Sequence, residues 1–209
     1  VFLASLVLII IGAIDDKKVN VDFLQKAMKH SRRLDALLSD LIEISRIESG
    51  EMKMMFRYFS LREFFNSLLE EVQLQAEQKN ISLEFISPSQ SVEVFADKER
   101  IKQVMLNLIE NAIKYTSANG KIIIASAIES NGVRIIVTDT GCGIAEEHLP
   151  RIFERFYRID KDRSRDIGGT GLGLAIVKHI IEAHESKVEV QSEIGKGSAF
   201  RFNLKGNTM

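Results

Sequence analysis

The residues best equipped for chemistry lie in the second half of the chain and fall into four groups. The first sits on residues 98–116, an apolar-periodic stretch that reads as a helix. At about 100° per residue, Asn107, Glu110, Asn111 and Lys114 share one arc, while Ile101, Val104, Met105, Leu108 and Ala112 occupy the other side. Asparagine competes with the backbone for hydrogen bonds and is a poor interior helix residue. Two of them at i and i+4, beside an acid and a lysine, suggest a polar wall facing a ligand; a solvated helix face is the competing reading. An amide oxygen can hold a metal ion or orient a water, and Lys114 can meet a phosphate as a point charge. Tyr115, at the edge of the arc, can stack on a flat ring.

The second group is Asp139, Thr140, Gly141, Cys142, Gly143 and Ile144, directly after a strand-like run. A carboxylate at a strand end can accept a hydrogen bond from an exocyclic amine, while glycines let the backbone approach a ring closely. A plain turn is the alternative. Cys142 is read as a small filler, because no basic neighbour in sequence would make it a thiolate. The third group, Gly168 to Leu174, is a glycine string opening a helix, where backbone amides can face an anion. It is neither a dinucleotide fingerprint, since a charged stretch precedes it, nor a P-loop. The shorter string Gly195, Lys196, Gly197, Ser198 is read as a β-turn. The fourth group runs from Phe153 to Arg158. Phe153 and Phe156 are read as pinning a loop to the core, and Arg155, Arg158, Lys161, Arg163 and Arg165 make the segment as basic as a lid over phosphates would be.

These groups need a scaffold. The 209 residues are 45% hydrophobic and 27% charged, the balance of a globular protein. A net charge of −1 argues against non-specific nucleic-acid binding, and a single cysteine excludes an internal disulfide or a multi-cysteine zinc site. Residues 1–14 are almost wholly apolar, yet shorter than the roughly 20 residues of a membrane span, and they lack the features of a signal peptide. They read as a helix buried against partner helices, the alternative being the end of a membrane anchor. A polar turn (15–20) and an amphipathic helix (21–49) complete a helical hairpin, whose stripe includes Leu24, Met28, Leu34, Leu37, Leu38, Leu41, Ile42 and Ile44. One hairpin cannot bury that stripe, so a dimeric four-helix bundle is expected. Downstream, the pattern predicts a strand at 56–59, a helix at 61–79, a hairpin of 81–86 with 92–95, strands at 121–128 and 133–138, a helix at 170–184 and a last hairpin of 188–191 with 198–204. The fold class is α+β: residues 1–50 as the helical hairpin, and residues 51–209 as a two-layer α/β sandwich.

In this order and spacing, the four groups resemble the N, G1, F and G2 boxes of sensor histidine kinases, within the ATPase superfamily of DNA gyrase, the Hsp90 chaperones and MutL. The stretch from Arg33 to Gly50 resembles the second helix of that family's dimerisation and histidine-phosphotransfer domain. The resemblance implies ATP and Mg²⁺ as ligands. It implies that Asn111 holds the metal, that Asn107 and Lys114 line the phosphate side, and that Tyr115 lines the adenine side. Asp139 would accept from the adenine amino group, with Gly141, Gly143 and Ile144 shaping that pocket. Tyr157 and Arg158 would belong to the lid, and Gly169, Thr170, Gly171, Leu172, Gly173 and Leu174 would close on the phosphates. Glu110 would help activate the acceptor imidazole, with Asn107 beside it in the catalytic set. The implied partners are a second copy, through the hairpin, and the receiver domain of a response regulator. The implied location is cytoplasmic, with membrane contact only through an upstream region.

The family's acceptor histidine has an acidic neighbour and a nearby Thr/Asn-Pro pair. None of His30, His148, His179 and His184 has that context, and all four are read as surface or packing histidines. The expectation is therefore a catalytic core whose acceptor lies upstream of Val1 or has been lost, and which does not phosphorylate itself. The two alternatives are a nucleotide-sensing pseudokinase and a serine kinase of the anti-sigma-factor type.

Overall fold

A computed structural model describes residues 17–51, 53–88, 90–130, 132–159 and 170–208. A long helix, α1 (Lys17–Glu48), comes first. It is followed by β1 (Phe56–Ser60), α2 (Leu61–Gln78), β2 (Ser82–Ile86), β3 (Val92–Asp97), α3 (Lys98–Tyr115), β4 (Lys121–Glu129) and β5 (Gly132–Asp139). After a short 3₁₀ turn at Glu146–His148 come α4 (Gly173–Ala183), β6 (Glu189–Glu193), β7 (Gly197–Leu204) and β8 (Gly206–Thr208).

The strands form two sheets, ordered β1-β3-β8 and β2-β4-β5-β7-β6. The larger is mixed, with β2 parallel to β4 and every other pair antiparallel. Alternation on β5 is strict. Val133, Ile135 and Val137 are buried on one face, and Asp139 is the next residue on that same face. Helix α3 buries Ile101, Val104, Met105, Leu108, Ile109, Ala112 and Ile113 in the same core. Its start is capped by Asp97, whose Oδ1 accepts from the Arg100 N–H at 3.2 Å. Its end is closed by Lys79, whose Nζ donates to the carbonyls of Ile113 at 2.6 Å and Lys114 at 2.8 Å. These three carbonyl-end and amide-end contacts satisfy helix groups that would otherwise lack partners.

The α+β expectation holds, with corrections. The expected 81–86/92–95 hairpin does not form. Strand β2 runs parallel to β4, while β3 pairs with β1 and β8 in the other sheet. Alternating hydrophobicity marks a strand but does not name its neighbour. The expected polar turn is helical from Lys17 onward, and the helix expected from residue 170 starts at Gly173. Strand β8 lies beyond the last strand expected. The expected first helix (1–14) lies outside the described residues.

On α1, Leu24, Met28, Leu34, Leu38, Leu41 and Ile42 are exposed, whereas Ile44 is 2% exposed and packs into the core of the sandwich, with Leu37 against its edge. Glu43, next to it, bridges Arg100 and Gln103 in the first two turns of α3. Among the described residues, no helix is long and apolar enough to cross a membrane.

Candidate nucleotide site

Asp139 is the centre of the site because β-sheet periodicity delivers it, a charged residue, to a buried face. Its side chain is 7% exposed, and Oδ1 accepts from the Gly141 N–H at 2.8 Å. Burial pushes its pKa above the ordinary carboxylate value, and the backbone N–H groups of Gly141 and Ser198 draw it back only in part. Such a carboxyl gains most from a further donor, and an exocyclic amine is one.

The loop that follows folds back tightly on α3. The Cys142 N–H donates to the Tyr115 carbonyl at 3.3 Å. A side chain on Gly141 would begin 2.7 Å from both Asp139 Oδ1 and the Tyr115 carbonyl oxygen. Gly143 has φ +71, and a Cβ there would run into the Glu193 carbonyl. Ile144 is half-buried against the core. Cys142 is exposed, so it does not fill space between the glycines as expected; what the loop uses is its backbone.

Tyr115 links this loop to the other groups. Burial raises its phenol pKa and the charge of Arg158 opposes that rise, which places Arg158 within electrostatic reach. Arg158 Cγ in turn lies 3.4 Å from where a side chain on Gly171 would start. The Phe156 N–H donates to the Gly171 carbonyl at 2.9 Å, joining the aromatic segment to the glycine string. The start of α4 approaches α3: Asn107 Oδ1 is 3.1 Å from the position of a Cβ on Gly173. The described parts of all four groups named from the sequence therefore meet along one edge, formed by the C-terminal half of α3, the loop after β5 and the start of α4.

Within that edge, Asn107, Asn111 and Lys114 are half-buried, and the amides of Asn107 and Asn111 make no hydrogen bond among the described residues. Lys114 Nζ lies 4.9 Å from the centre of the Tyr115 ring. Leu172 is fully buried and Leu174 packs on the core, so their side chains anchor the glycine string and leave the ligand-facing role to backbone. Thr170 Oγ1 accepts from the Leu172 N–H at 3.2 Å, and no side chain caps the first amides of α4. Gly169 lies outside the described residues, as do Lys161, Arg163 and Arg165 of the expected lid.

One expectation changes. Phe153 packs edge-on against Phe200, with ring centres 6.4 Å apart, but Phe156 is 55% exposed and does not pin the loop. Tyr157 does that instead: its hydroxyl bonds His148 Nδ1 at 2.8 Å and its ring lies under Arg151 at 4.3 Å. Glu110 is exposed on α3. Desolvation, then the charge of Glu71 on α2, raise its pKa. Among the described residues, no group of three or more His, Cys, Asp or Glu is arranged to hold a metal ion.

Three of the four histidines are accounted for locally. His184 is 6% exposed; its Nε2 accepts from the Asp97 N–H at 3.0 Å and its Nδ1 donates to the Ile180 carbonyl at 2.7 Å. Those bonds fix the neutral tautomer protonated at Nδ1. His148 is held by Tyr157, and His30 is exposed on α1.

A fold of helices on a mixed sheet, with a buried aspartate, an asparagine-bearing helix and a glycine-opened helix at one edge, defines a nucleotide-binding domain. The chain belongs to the histidine kinase-, DNA gyrase B- and HSP90-like ATPase family, whose profile matches residues 96–208. It is 39% identical over 176 residues to the sensor histidine kinase RppB of Synechocystis sp., covering 84% of this chain and 39% of that protein. It is 32% identical over 197 residues to the sensor histidine kinase WalK of Bacillus subtilis, covering 92% of this chain and 32% of that protein. The chain thus spans about a third to two fifths of these relatives. Among solved structures, it is similar to full-length ShkA in complex with AMPPNP (TM-score 0.79, 29% identity, 93% of this chain and 40% of that one). It is also similar to the histidine kinase ThkA in complex with the response regulator TrrA (TM-score 0.78, 26% identity, 98% of this chain and 57% of that one). The ATP-binding domain is accordingly of the histidine kinase kind. Neither the pseudokinase nor the serine-kinase alternative finds support in these relatives.

Proposed function

We propose that this chain is the catalytic core of a two-component sensor histidine kinase. It binds Mg-ATP and passes the γ-phosphoryl group to a histidine outside the chain or lost from it, for relay to an aspartate on a response regulator. The observation that carries this reading is the buried carboxyl of Asp139, held by the Gly141 N–H at the edge where α3 and the start of α4 meet. The adenine amino group donates to Asp139, and Gly141, Gly143 and Ile144 shape the slot for the ring. Tyr115 covers the adenine side.

The phosphates lie toward Asn107, Lys114 and the uncapped amides of Gly173 and Leu174, where the helix start favours negative charge. Thr170, Gly171 and the absent side chain of Gly173 leave backbone N–H groups free to approach, and Tyr157 and Arg158 belong to the covering lid. Asn111 fits a magnesium ion: it offers one hard amide oxygen that makes no hydrogen bond among the described residues, and such an ion takes its remaining ligands from phosphate and water. When bound, it supplies charge neutralisation across the phosphate oxygens.

The residues then act by position. Lys114 and the amides stabilise charge on the transferring group. The unprotonated nitrogen of an incoming neutral imidazole attacks the γ-phosphorus, the bond to the bridging oxygen breaks, and ADP leaves. Glu110 is exposed and has a raised pKa, and it takes the proton from the other ring nitrogen. The exposed stripe of α1 supports pairing with a second copy in a four-helix bundle, with residues 1–50 as that module and residues 51–209 as the catalytic one. The kinase core works on the cytoplasmic side, and a receiver domain is the downstream partner.

Incubation with γ-labelled ATP tests this directly. The chain alone is expected to acquire no acid-labile phosphate, while a separately supplied acceptor hairpin becomes labelled. Label on any of its own four histidines, or none on the hairpin despite bound nucleotide, would contradict the reading.

A further inference from the structure

The turn between β6 and β7, which carries the Gly195–Ser198 string, grips the loop that carries Asp139. Ser192 is the meeting point. Its Oγ donates to the Gly197 carbonyl at 2.8 Å, accepts from the Ile144 N–H at 2.8 Å, and lies 2.9 Å from Ser198 Oγ. A hydroxyl has one proton to give and two lone pairs. Since the proton is committed to Gly197, Ser198 is the donor in the last bond, and the Ser192 hydroxyl is saturated. Ser198 is also the register partner of Asp139, and its backbone N–H is one of the two that draw the Asp139 pKa down. The Gly195 N–H adds a bond to the Cys142 carbonyl at 2.8 Å. The turn therefore holds the 139–144 loop at both ends: at Asp139 through Ser198, and at Ile144 through Ser192.

We infer that Ser192 is a positioning residue for base recognition, and that its hydroxyl sets how sharply the site prefers a 6-amino purine to a 6-oxo purine. The inference rests on the assignment of Asp139 to the adenine amino group. The physical reason is that discrimination needs the carboxyl and the ring-shaping loop in a fixed relation. A 6-oxo purine offers an acceptor where Asp139 also presents one, so it is rejected only if neither can move away. In Ser192→Ala, Ile144 N–H and the Ser198 hydroxyl lose their shared partner and the loop gains freedom at its far end.

The test is competition binding of Mg-ATP and Mg-inosine triphosphate against a fluorescent ATP analogue. The wild type is expected to prefer ATP. Ser192→Ala is expected to lower the ATP-to-inosine-triphosphate preference about three- to tenfold, and Ser192→Thr, which keeps the hydroxyl, to restore it. A role confined to stability would lower the melting temperature without moving that ratio. Ser192→Cys, which stays close in size while weakening all three bonds, is read the same way should the alanine variant fold poorly. Undiminished preference in the alanine or cysteine variant overturns the inference. Asp139→Asn separates the two layers: unchanged preference there refutes the base assignment itself, whereas lost preference there with wild-type preference in the Ser192 variants refutes only the role of Ser192.

Discussion

Asp139 and His184 are both buried ionisable groups, and burial pushes them in opposite electrical directions toward the same outcome, neutrality. For His184 the consequence is a pH dependence of stability. Burial lowers its pKa below the ordinary 6.5, with the Ile180 hydrogen bond and Asp97 offsetting only part of that shift. The unfolded chain therefore binds the proton more readily than the folded one. The contribution of His184 is complete above pH 6.5 and is lost as pH falls from there through its lower folded value. Protonation also breaks the bond from the Asp97 N–H, which ties the start of α3 to the end of α4. Thermal unfolding followed from pH 8 to 5 is expected to show this loss, and His184→Gln is expected to flatten it. An unchanged slope in the variant would remove His184 as its cause. At this scale the sequence was informative where a side chain breaks a local rule. Two asparagines in a helix, or an aspartate continuing an apolar alternation, stand out. Ser192 did not, because its importance arises from partners 48 residues away and across a turn. The only local sign was a glycine pair whose role depends on strand register.

Elements position the site through their ends. Helix α3 is capped by Asp97, closed by Lys79 and hooked to α1 through Glu43. The loop after β5 is fixed by the carbonyl of Tyr115 on one side and the β6–β7 turn on the other. Gly143 stands where those two grips meet. A side chain there faces both a left-handed φ of +71 and the carbonyl of Glu193. Gly143→Ala is expected to destabilise the chain by about 1–3 kcal/mol and to weaken ATP binding at least tenfold, checked by denaturant unfolding and calorimetric titration. Wild-type values in both would show that the loop is not clamped. Helix and strand identities were largely legible from periodicity. The partnership of β2 with β4 was not, because a parallel pairing across an intervening strand and helix leaves no trace in the local pattern. The true start of α4 was likewise hidden, since glycines carry no side-chain pattern to mark where the helix begins, although their conformational freedom disfavours helix.

Across the whole molecule, two surfaces remain distinct: the nucleotide edge and the exposed apolar stripe of α1. The stripe suits pairing with a second copy, and its docked stretch at Ile44 joins it to the sandwich. The amphipathic pattern alone marked α1 as a helix with one apolar face, whereas the contact of Glu43 with α3 needed three-dimensional structure. The central claim is that a magnesium-bound adenine nucleotide occupies the edge between α3, the loop after β5 and the start of α4. Backbone amide NMR during titration with a non-hydrolysable ATP analogue and Mg²⁺ tests it most directly. The expected result is saturable shifts concentrated at Asn107, Asn111, Asp139, Gly141, Gly143 and Gly173, with those at Asn111 dependent on the metal. Saturation with no change at Asp139 and Gly141, or with the largest changes on α1, would contradict it.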